Sequence, residues 1–144
     1  MEAYDALRLD HQLCFPLYAA SRAVIRRYHP YLSALELTYT QYIAMMALWE
    51  SSPQSVKELG ERLYLDTGTL TPLLKAMEQK GLIRRSRSEK DERSVLVSLT
   101  ESGAALREKA LAVPAQVGSC IRLEPERAQQ LYGILYELLD NLEG

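Results

Sequence analysis

The sequence predicts a mainly helical protein with one small β-hairpin. Apolar residues recur every three or four positions along most of the chain, which is the spacing of helices that bury one face. Only the short segments 82–86 and 94–99 have the composition of strands. The chain has 144 residues, 47% of them hydrophobic, and a net charge of −2, which is typical of a globular protein that buries its own core.

The first long helix is predicted near the N-terminus. Pro16 suits a first helical turn, because that position needs no backbone N–H. We expect the helix to begin near Leu13–Phe15 and to end before Pro30. Its apolar face consists of Leu13, Leu17, Ala20, Val24 and Tyr28.

Two capping boxes predict the next two helices. Thr38 is followed three residues later by Gln41, which predicts a helix over about 39–51. Ser55 and Glu58 have the same spacing and open a shorter helix.

A further helix over about 68–80 follows a turn at Asp66. The aspartate is a suitable N-cap, and Gly81 is a suitable terminator. The apolar stripe of this helix would face inward, and its members are Leu70, Leu73, Leu74 and Met77.

The hairpin is expected to join the two strand-like segments through the polar link Arg87–Arg93. After it, Thr100 caps a helix that runs to about Val113, and Pro114 and Gly118 break the pattern. Pro125 begins the last helix. The inner face of that helix is expected to carry Leu131, Ile134, Leu135, Leu138 and Leu142.

Two short helices, a tight turn and a following hairpin describe a winged helix-turn-helix, a fold that reads DNA. The helix over about 68–80 would be the recognition element. Short hydroxyls and a cation near its N-terminus suit phosphate and base edges. These candidate DNA-binding residues are Thr67, Thr69, Thr71, Pro72 and Lys75.

Charge is distributed unevenly, which supports this interpretation. Residues 55–99 hold 9 Lys+Arg and 7 Asp+Glu, a net charge of +2, whereas residues 1–54 and 100–144 have net charges of −1 and −3. An arginine at a hairpin tip suits the narrow minor groove of DNA, and an aspartate two residues earlier can hold it. The hairpin candidates are Arg87, Lys90, Asp91 and Arg93.

At this point the chain resembles the MarR family of winged-helix repressors. The resemblance is carried by the run Leu65–Lys75, by Gly81–Ile83 and by the wing residues Asp91–Val95. The runs Leu13–Arg22 and Leu37–Tyr42 are similar to the organic hydroperoxide regulator branch of that family. The resemblance implies a homodimer, with a helical dimerisation region over 1–32 and 100–144 and a winged helix-turn-helix region over 33–99.

The resemblance also implies roles for four residues. Cys14 would be the peroxide-sensing thiol, and Tyr28 and Tyr39 would hydrogen-bond to it. Cys120 lies in the region where two-cysteine members keep a resolving thiol. The hypothesis is therefore oxidation of Cys14 by an organic hydroperoxide, a disulfide with Cys120 of the other subunit and release of a pseudo-palindromic operator in double-stranded DNA. A low-molecular-weight thiol is the alternative resolving partner.

The residues themselves are compatible with this chemistry, and they leave alternatives open. The start of a helix stabilises a thiolate, and apolar neighbours such as Leu13 and Phe15 would favour an alkyl hydroperoxide. Taken alone, however, a cysteine on an apolar segment is a small buried hydrophobe, and tyrosines are packing residues. The other functions considered are a repressor released by a phenolic ligand, a thiol peroxidase and an adaptor that has lost DNA binding.

Several classes of protein do not fit the sequence. There is no apolar run long enough for a membrane span and no visible signal peptide, so a cytoplasmic protein without a membrane partner is expected. The two cysteines are 106 positions apart, which is not a zinc-site spacing. We therefore expect no metal, no cofactor and no enzymatic activity.

Overall fold

A computed structural model of the chain describes residues 3–91 and 93–143. Residues 1, 2, 92 and 144 belong to the predicted terminal regions and hairpin tip, and they lie outside the described residues. The described part is mainly helical with one small antiparallel sheet. In chain order the elements are α1 (Cys14–Ser33), α2 (Tyr39–Glu50), β1 (Gln54–Ser55), α3 (Val56–Leu63), α4 (Thr67–Gln79), β2 (Ile83–Arg87), β3 (Val95–Leu99), α5 (Glu101–Ala110), α6 (Val113–Gly118) and α7 (Pro125–Glu143).

The predicted capping signals are confirmed. The side chains of Thr38 and Ser55 each accept a hydrogen bond from the backbone N–H three residues on, and the Gln41 and Glu58 side chains accept from the cap residues in return. Asp66 accepts a hydrogen bond from the backbone N–H of Thr69 at 2.7 Å and so begins α4. Local hydrogen bonds therefore fix where these helices start.

The predicted end of the first helix is wrong. Pro30 lies inside α1, which continues to Ser33. A proline in a helix interior loses one backbone hydrogen bond. Here the following turn is fixed by tertiary packing, since Leu32 is buried in the core and Tyr31 packs against it.

The sheet contains one strand more than the predicted hairpin. β2 and β3 pair antiparallel, with Ile83 opposite Leu99 and Arg87 opposite Val95. The two-residue β1 adds to the other edge of β3, in the order β1-β3-β2. Two residues are too few for a visible alternating pattern, so this strand could not be predicted from the sequence. It attaches the wing to the start of α3.

The segment around Pro114 also differs from the expectation of a broken pattern. Pro114 lies in the first turn of the short helix α6, and Gly118 ends that helix. Val113 and Val117 are buried, and α6 packs against α1. A helix of six residues shows too few apolar repeats to be recognised from its sequence.

The core lies under α2, α3, α4 and the sheet, whereas α1 and α7 expose much of their apolar surface. Leu70, Leu74 and Met77 of α4 are buried, as predicted. By contrast, the predicted inner face of α7 is largely exposed in the single chain: Leu131 is 46% exposed and Ile134 60%. Among the described residues, no helix is both long and apolar enough to cross a membrane.

Candidate DNA-binding surface and cysteine sites

The exposed face of α4 carries all five of the predicted recognition residues. Thr67, Thr71 and Lys75 follow one another at intervals of four, so they line one side of the helix. The opposite stripe is buried in the core, so the sequence itself orients the helix with this polar side outward. The exposed residues are Thr67, Thr69, Thr71, Pro72 and Lys75.

The carboxylate of Asp66 caps the start of α4. The Thr69 amide donates to the Asp66 carboxylate and lowers the pKa of that carboxyl group, so the cap is an anion at neutral pH. The cap fixes the direction in which α4 leaves the preceding turn, and with it the position of the threonines.

The wing is a short loop held by Asp91. Its carboxylate accepts a hydrogen bond from the backbone N–H of Arg93 at 3.0 Å and from the Ser94 hydroxyl at 3.3 Å. The aspartate was expected to hold the Arg93 side chain, but the structure shows it holding the backbone. The exposed cations of the wing are Arg87, Lys90 and Arg93.

One ion pair fixes the wing relative to α4. Glu78 accepts from the backbone N–H of Arg85 and from its guanidinium, each at 3.0 Å. These bonds lower the pKa of the Glu78 carboxyl group. Because Glu78 belongs to α4 and Arg85 to β2, the recognition face and the wing keep a defined spacing.

A groove of about 420 Å³ separates the wing from the starts of α3 and α4. Thr67, Thr71 and Arg93, three of the predicted DNA-binding residues, line it. Ser55 and Lys57 also line it, and they were not predicted. The capping box at Ser55 was the available signal, because it puts Lys57 in the first turn of a helix whose N-terminus favours phosphate.

Cys14 is the first residue of α1 and is exposed. It therefore differs from the buried, inert cysteine that was one of the alternatives. Leu13 and Phe15 beside it are exposed as well. No side chain caps the start of α1, so the first turn presents its backbone N–H groups at the end of the helix where Cys14 lies.

Tyr28 and Tyr39 lie together, but far from Cys14 of the same chain. Their ring centroids are 4.9 Å apart, and Tyr42 packs against both at 5.7 and 6.4 Å. Burial raises the pKa of all three hydroxyls, so they remain protonated hydrogen-bond donors at neutral pH. Fourteen residues of helix, about 21 Å, separate Cys14 from Tyr28, so this tyrosine could meet only the Cys14 thiol of another chain.

Cys120 follows α6 and is half-buried. Its Sγ lies 3.6 Å from the Tyr31 hydroxyl and 3.6 Å from the backbone carbonyl of Gln116. The thiol raises the pKa of the Tyr31 hydroxyl, mainly through this hydrogen bond. The sequence does not predict Tyr31 as a partner of Cys120, because 89 positions separate the two residues.

The two cysteines of one chain are too far apart to form a disulfide. Tyr31, which holds Cys120, is 17 residues along α1 from Cys14, or about 25 Å. A disulfide needs Cα atoms within about 7 Å. Any disulfide between these positions must therefore join two chains, unless α1 unfolds.

Comparison with known proteins places the chain among regulators of transcription. Residues 26–109 match the family model described as transcriptional regulator SarA/Rot. The organic hydroperoxide resistance transcriptional regulator of Bacillus subtilis is 52% identical over 139 residues, which cover 96% of this chain and 95% of that protein.

The fold is also similar to solved structures. Reduced AbfR bound to DNA superposes with a TM-score of 0.78 at 34% identity, covering 99% of this chain and 100% of that one. A disulfide-formed AbfR gives a TM-score of 0.65 at 36% identity and covers 94% and 95% of the two chains; AbfR is a protein of Staphylococcus epidermidis. A mutant MarR of Escherichia coli in complex with operator DNA shares the fold, with a TM-score of 0.83 at 24% identity and coverage of 96% and 99%.

These relatives are regulators rather than enzymes, and their likeness extends over nearly the whole chain. It includes both the α4 face and the N-terminal segment with Cys14. The chain therefore belongs to the MarR family of winged helix-turn-helix transcriptional regulators, in the branch of the organic hydroperoxide resistance regulators.

Proposed function

We propose that this protein is a homodimeric repressor that binds a pseudo-palindromic operator when reduced and releases it when an organic hydroperoxide oxidises Cys14. The observation that carries the proposal is the position of Cys14, exposed at the start of α1 and flanked by exposed apolar residues. The names of the relatives support it, since one is a regulator of organic hydroperoxide resistance and another is known in reduced and disulfide forms.

In this proposal the two regions of the chain have separate tasks. Residues 1–32 and 100–144 form the dimer, and residues 33–99 bind DNA in the cytoplasm. The exposed face of α4, with Thr67, Thr69, Thr71, Pro72 and Lys75, enters the major groove. The wing, held in shape by Asp91, places Arg87, Lys90 and Arg93 at the adjacent minor groove.

The thiol chemistry begins with attack by the Cys14 thiolate on a peroxide oxygen. The O–O bond breaks, the oxygen remains on sulfur as a sulfenic acid, and the other fragment leaves as an alcohol after taking up a proton. The partner subunit's Tyr28 and Tyr39 donate hydrogen bonds to the reacting thiolate. They are suited to this because burial keeps both hydroxyls protonated.

Cys120 then resolves the oxidised state. The thiol of Cys120 from one subunit attacks the sulfenic sulfur of the other, a disulfide forms and water leaves. To do so, Cys120 must leave its hydrogen bonds with Tyr31 and Gln116. That movement at the contact between α1 and α6 would reorient the DNA-binding regions, so that they no longer match the operator half-sites.

The test measures DNA binding by fluorescence anisotropy, with and without cumene hydroperoxide. A non-reducing gel of the same samples shows whether a covalent dimer has formed. Wild type is expected to lose at least tenfold in affinity on oxidation, whereas Cys14→Ser keeps its affinity. Cys120→Ser is the matched control for pairing, because it keeps the sensing thiol and should form no covalent dimer.

Each contrary result has a defined meaning. A covalent dimer in oxidised Cys120→Ser would show that Cys120 is not the pairing thiol. Release of both wild type and Cys14→Ser by salicylate, without any effect of peroxide, would favour a phenolic effector. Sustained peroxide consumption with a reductant would favour a thiol peroxidase.

A further inference from the structure

Lys80 joins two parts of the molecule that the functional proposal leaves separate. It is the C-cap residue of α4, the helix whose other end carries the recognition threonines. Its ammonium group donates one hydrogen bond to the backbone carbonyl of Glu36 and another to Oε1 of Gln41 at 2.8 Å. Both acceptors belong to the junction between α1 and α2.

The two acceptors are themselves held firmly. Glu36 has a left-handed backbone conformation, with φ of 58°, in the turn that joins α1 to α2. Gln41 is only 6% exposed, and its Oε1 also accepts the backbone N–H of Thr38 at 3.1 Å. One side-chain oxygen therefore completes the cap of α2 and binds the end of α4.

The junction also positions the tyrosine cluster. Tyr39 is the first residue of α2, and its ring packs on Tyr28 of α1. A groove of about 460 Å³ at the junction is lined by both Tyr39 and Lys80. The core contacts of Leu74 and Met77 in α4 are apolar and so have little directional preference, whereas hydrogen bonds from a charged donor depend on distance and angle.

We propose that Lys80 is a positioning residue that couples the DNA-reading helix α4 to the α1–α2 junction and its tyrosines. DNA contact at the start of α4 stabilises one position of the helix. Lys80 transfers that preference to the cap of α2, and a change at the tyrosines passes to α4 by the same route. The inference rests on the proposed DNA binding by α4, but it does not require peroxide to be the effector. Coupling of this kind is reciprocal.

The direct test is amide hydrogen exchange at Thr38 and Gln41, the two amides of the α2 cap, with and without DNA. The probe is a pseudo-palindromic duplex selected from a random pool by the wild-type protein. Lys80→Met keeps the length of the side chain and removes its donors, and Lys80→Arg restores charge and donors. Arg62→Met is the matched control, because it also removes a cation that binds α2, through Glu50, but it lies outside the proposed dimer and DNA surfaces.

Wild type and Arg62→Met should show at least fivefold slower exchange of these amides in the DNA complex, which is the lower end of typical coupling between sites. In Lys80→Met the slowing should fall below twofold, and Lys80→Arg should recover it. If the role of Lys80 were purely structural, Lys80→Met would lower the unfolding temperature. The two amides would still exchange more slowly in the DNA complex, by the same factor as in wild type. Equal slowing in Lys80→Met and wild type, or no slowing in wild type, would overturn the inference.

A redox arm separates this inference from the sensing proposal. Cys14→Ser should keep the DNA-dependent slowing, because the coupling needs no thiol. If sensing is also correct, the ratio of oxidised to reduced dissociation constants should be at least fivefold smaller in Lys80→Met than in wild type. If peroxide does not change the DNA affinity of the wild type but DNA still slows amide exchange, the sensing proposal is wrong and the coupling inference stands.

Discussion

At the scale of single residues, Gly103 shows how closely the winged part is packed against the helices. It lies in the first turn of α5, where its amide donates to the Thr100 hydroxyl at 3.0 Å. Its carbonyl accepts the indole N–H of Trp49 at 2.9 Å. A Cβ at this position would lie 2.1 Å from the backbone oxygen of Leu82, so no side chain fits without movement of the backbone.

We expect Gly103→Ala to lower the free energy of unfolding by at least about 2 kcal/mol, because either α5 or the start of β2 must shift. Urea denaturation followed by far-UV circular dichroism measures this. Gly118→Ala is the control, since a Cβ there meets nothing within 4 Å. Equal stability of the two variants would contradict the packing argument.

Residue-scale features were only partly predictable from the sequence. The caps at Thr38, Ser55 and Asp66 were predicted because their hydrogen bonds span three residues. The pairing of Tyr31 with Cys120 and that of Lys80 with Gln41 were not predicted, since tertiary folding brings together residues 89 and 39 positions apart. The separation of Cys14 and Tyr28 did follow from the sequence, because the helix predicted before Pro30 already covers both residues.

At the scale of elements, the Glu78–Arg85 pair sets the spacing between α4 and the wing. The carboxylate bridges the backbone and the side chain of a single arginine in β2. In the proposed DNA complex, the recognition face and the wing cations would then match one groove spacing. Because the pair is partly exposed and solvent screens it, it adds little to the free energy of unfolding. Its main effect is to fix the position of the wing relative to α4.

Glu78→Gln should weaken DNA binding. It should also make the free energy of unfolding depend less on pH in the acid range. Arg85 holds the folded-state pKa of Glu78 below its ordinary value, so the pair stabilises the fold above about pH 4.3 and loses this effect as pH falls through the lower, folded value. Urea unfolding between pH 6 and pH 3 should show the wild-type advantage over Glu78→Gln shrinking toward acid.

Glu61→Gln, an exposed glutamate of α3 outside this pair, is the control for a general charge effect. If Glu61→Gln and Glu78→Gln give the same pH profile and the same DNA affinity, the bridge to Arg85 has no specific role in holding the wing.

Helices and strands could be predicted from the sequence where one periodic pattern dominates. The face of α4 was predicted because its apolar stripe and its polar side alternate cleanly. The strand β1 and the helix α6 were not, since two and six residues carry too little pattern and tertiary contacts decide their structure.

At the scale of the whole molecule, the exposed apolar faces of α1 and α7 are the surface on which we propose that a second copy of the chain packs. α7 has no fully buried residue in the single chain, although leucines and isoleucine recur along it with helical spacing. A surface of this kind on a winged-helix regulator is suited to a two-fold dimer that presents two α4 helices to two half-sites.

We expect Ile134→Glu to dissociate the dimer, because it places a charge in the middle of the exposed apolar face of α7. Sedimentation equilibrium should give about twice 16.3 kDa for wild type and about 16.3 kDa for the variant. DNA affinity should fall with the loss of the second half-site.

Glu61→Lys, a charge change on the exposed surface of α3 and outside the region proposed to form the dimer, should leave the mass and the fold unchanged. If Ile134→Glu remains dimeric, the association surface lies elsewhere. If the wild type is monomeric, the proposed dimer is wrong.

In the proposed dimer, burial of the apolar faces of α1 and α7 makes the stability of the fold depend on the concentration of the protein. When apolar surface is buried only between copies, folding and association are one equilibrium, and the unfolding temperature rises with protein concentration. Operator occupancy would then rise more steeply than linearly with the amount of protein near the dissociation constant of the dimer. A cell could therefore relieve repression by making less of the protein, without any change at its thiols.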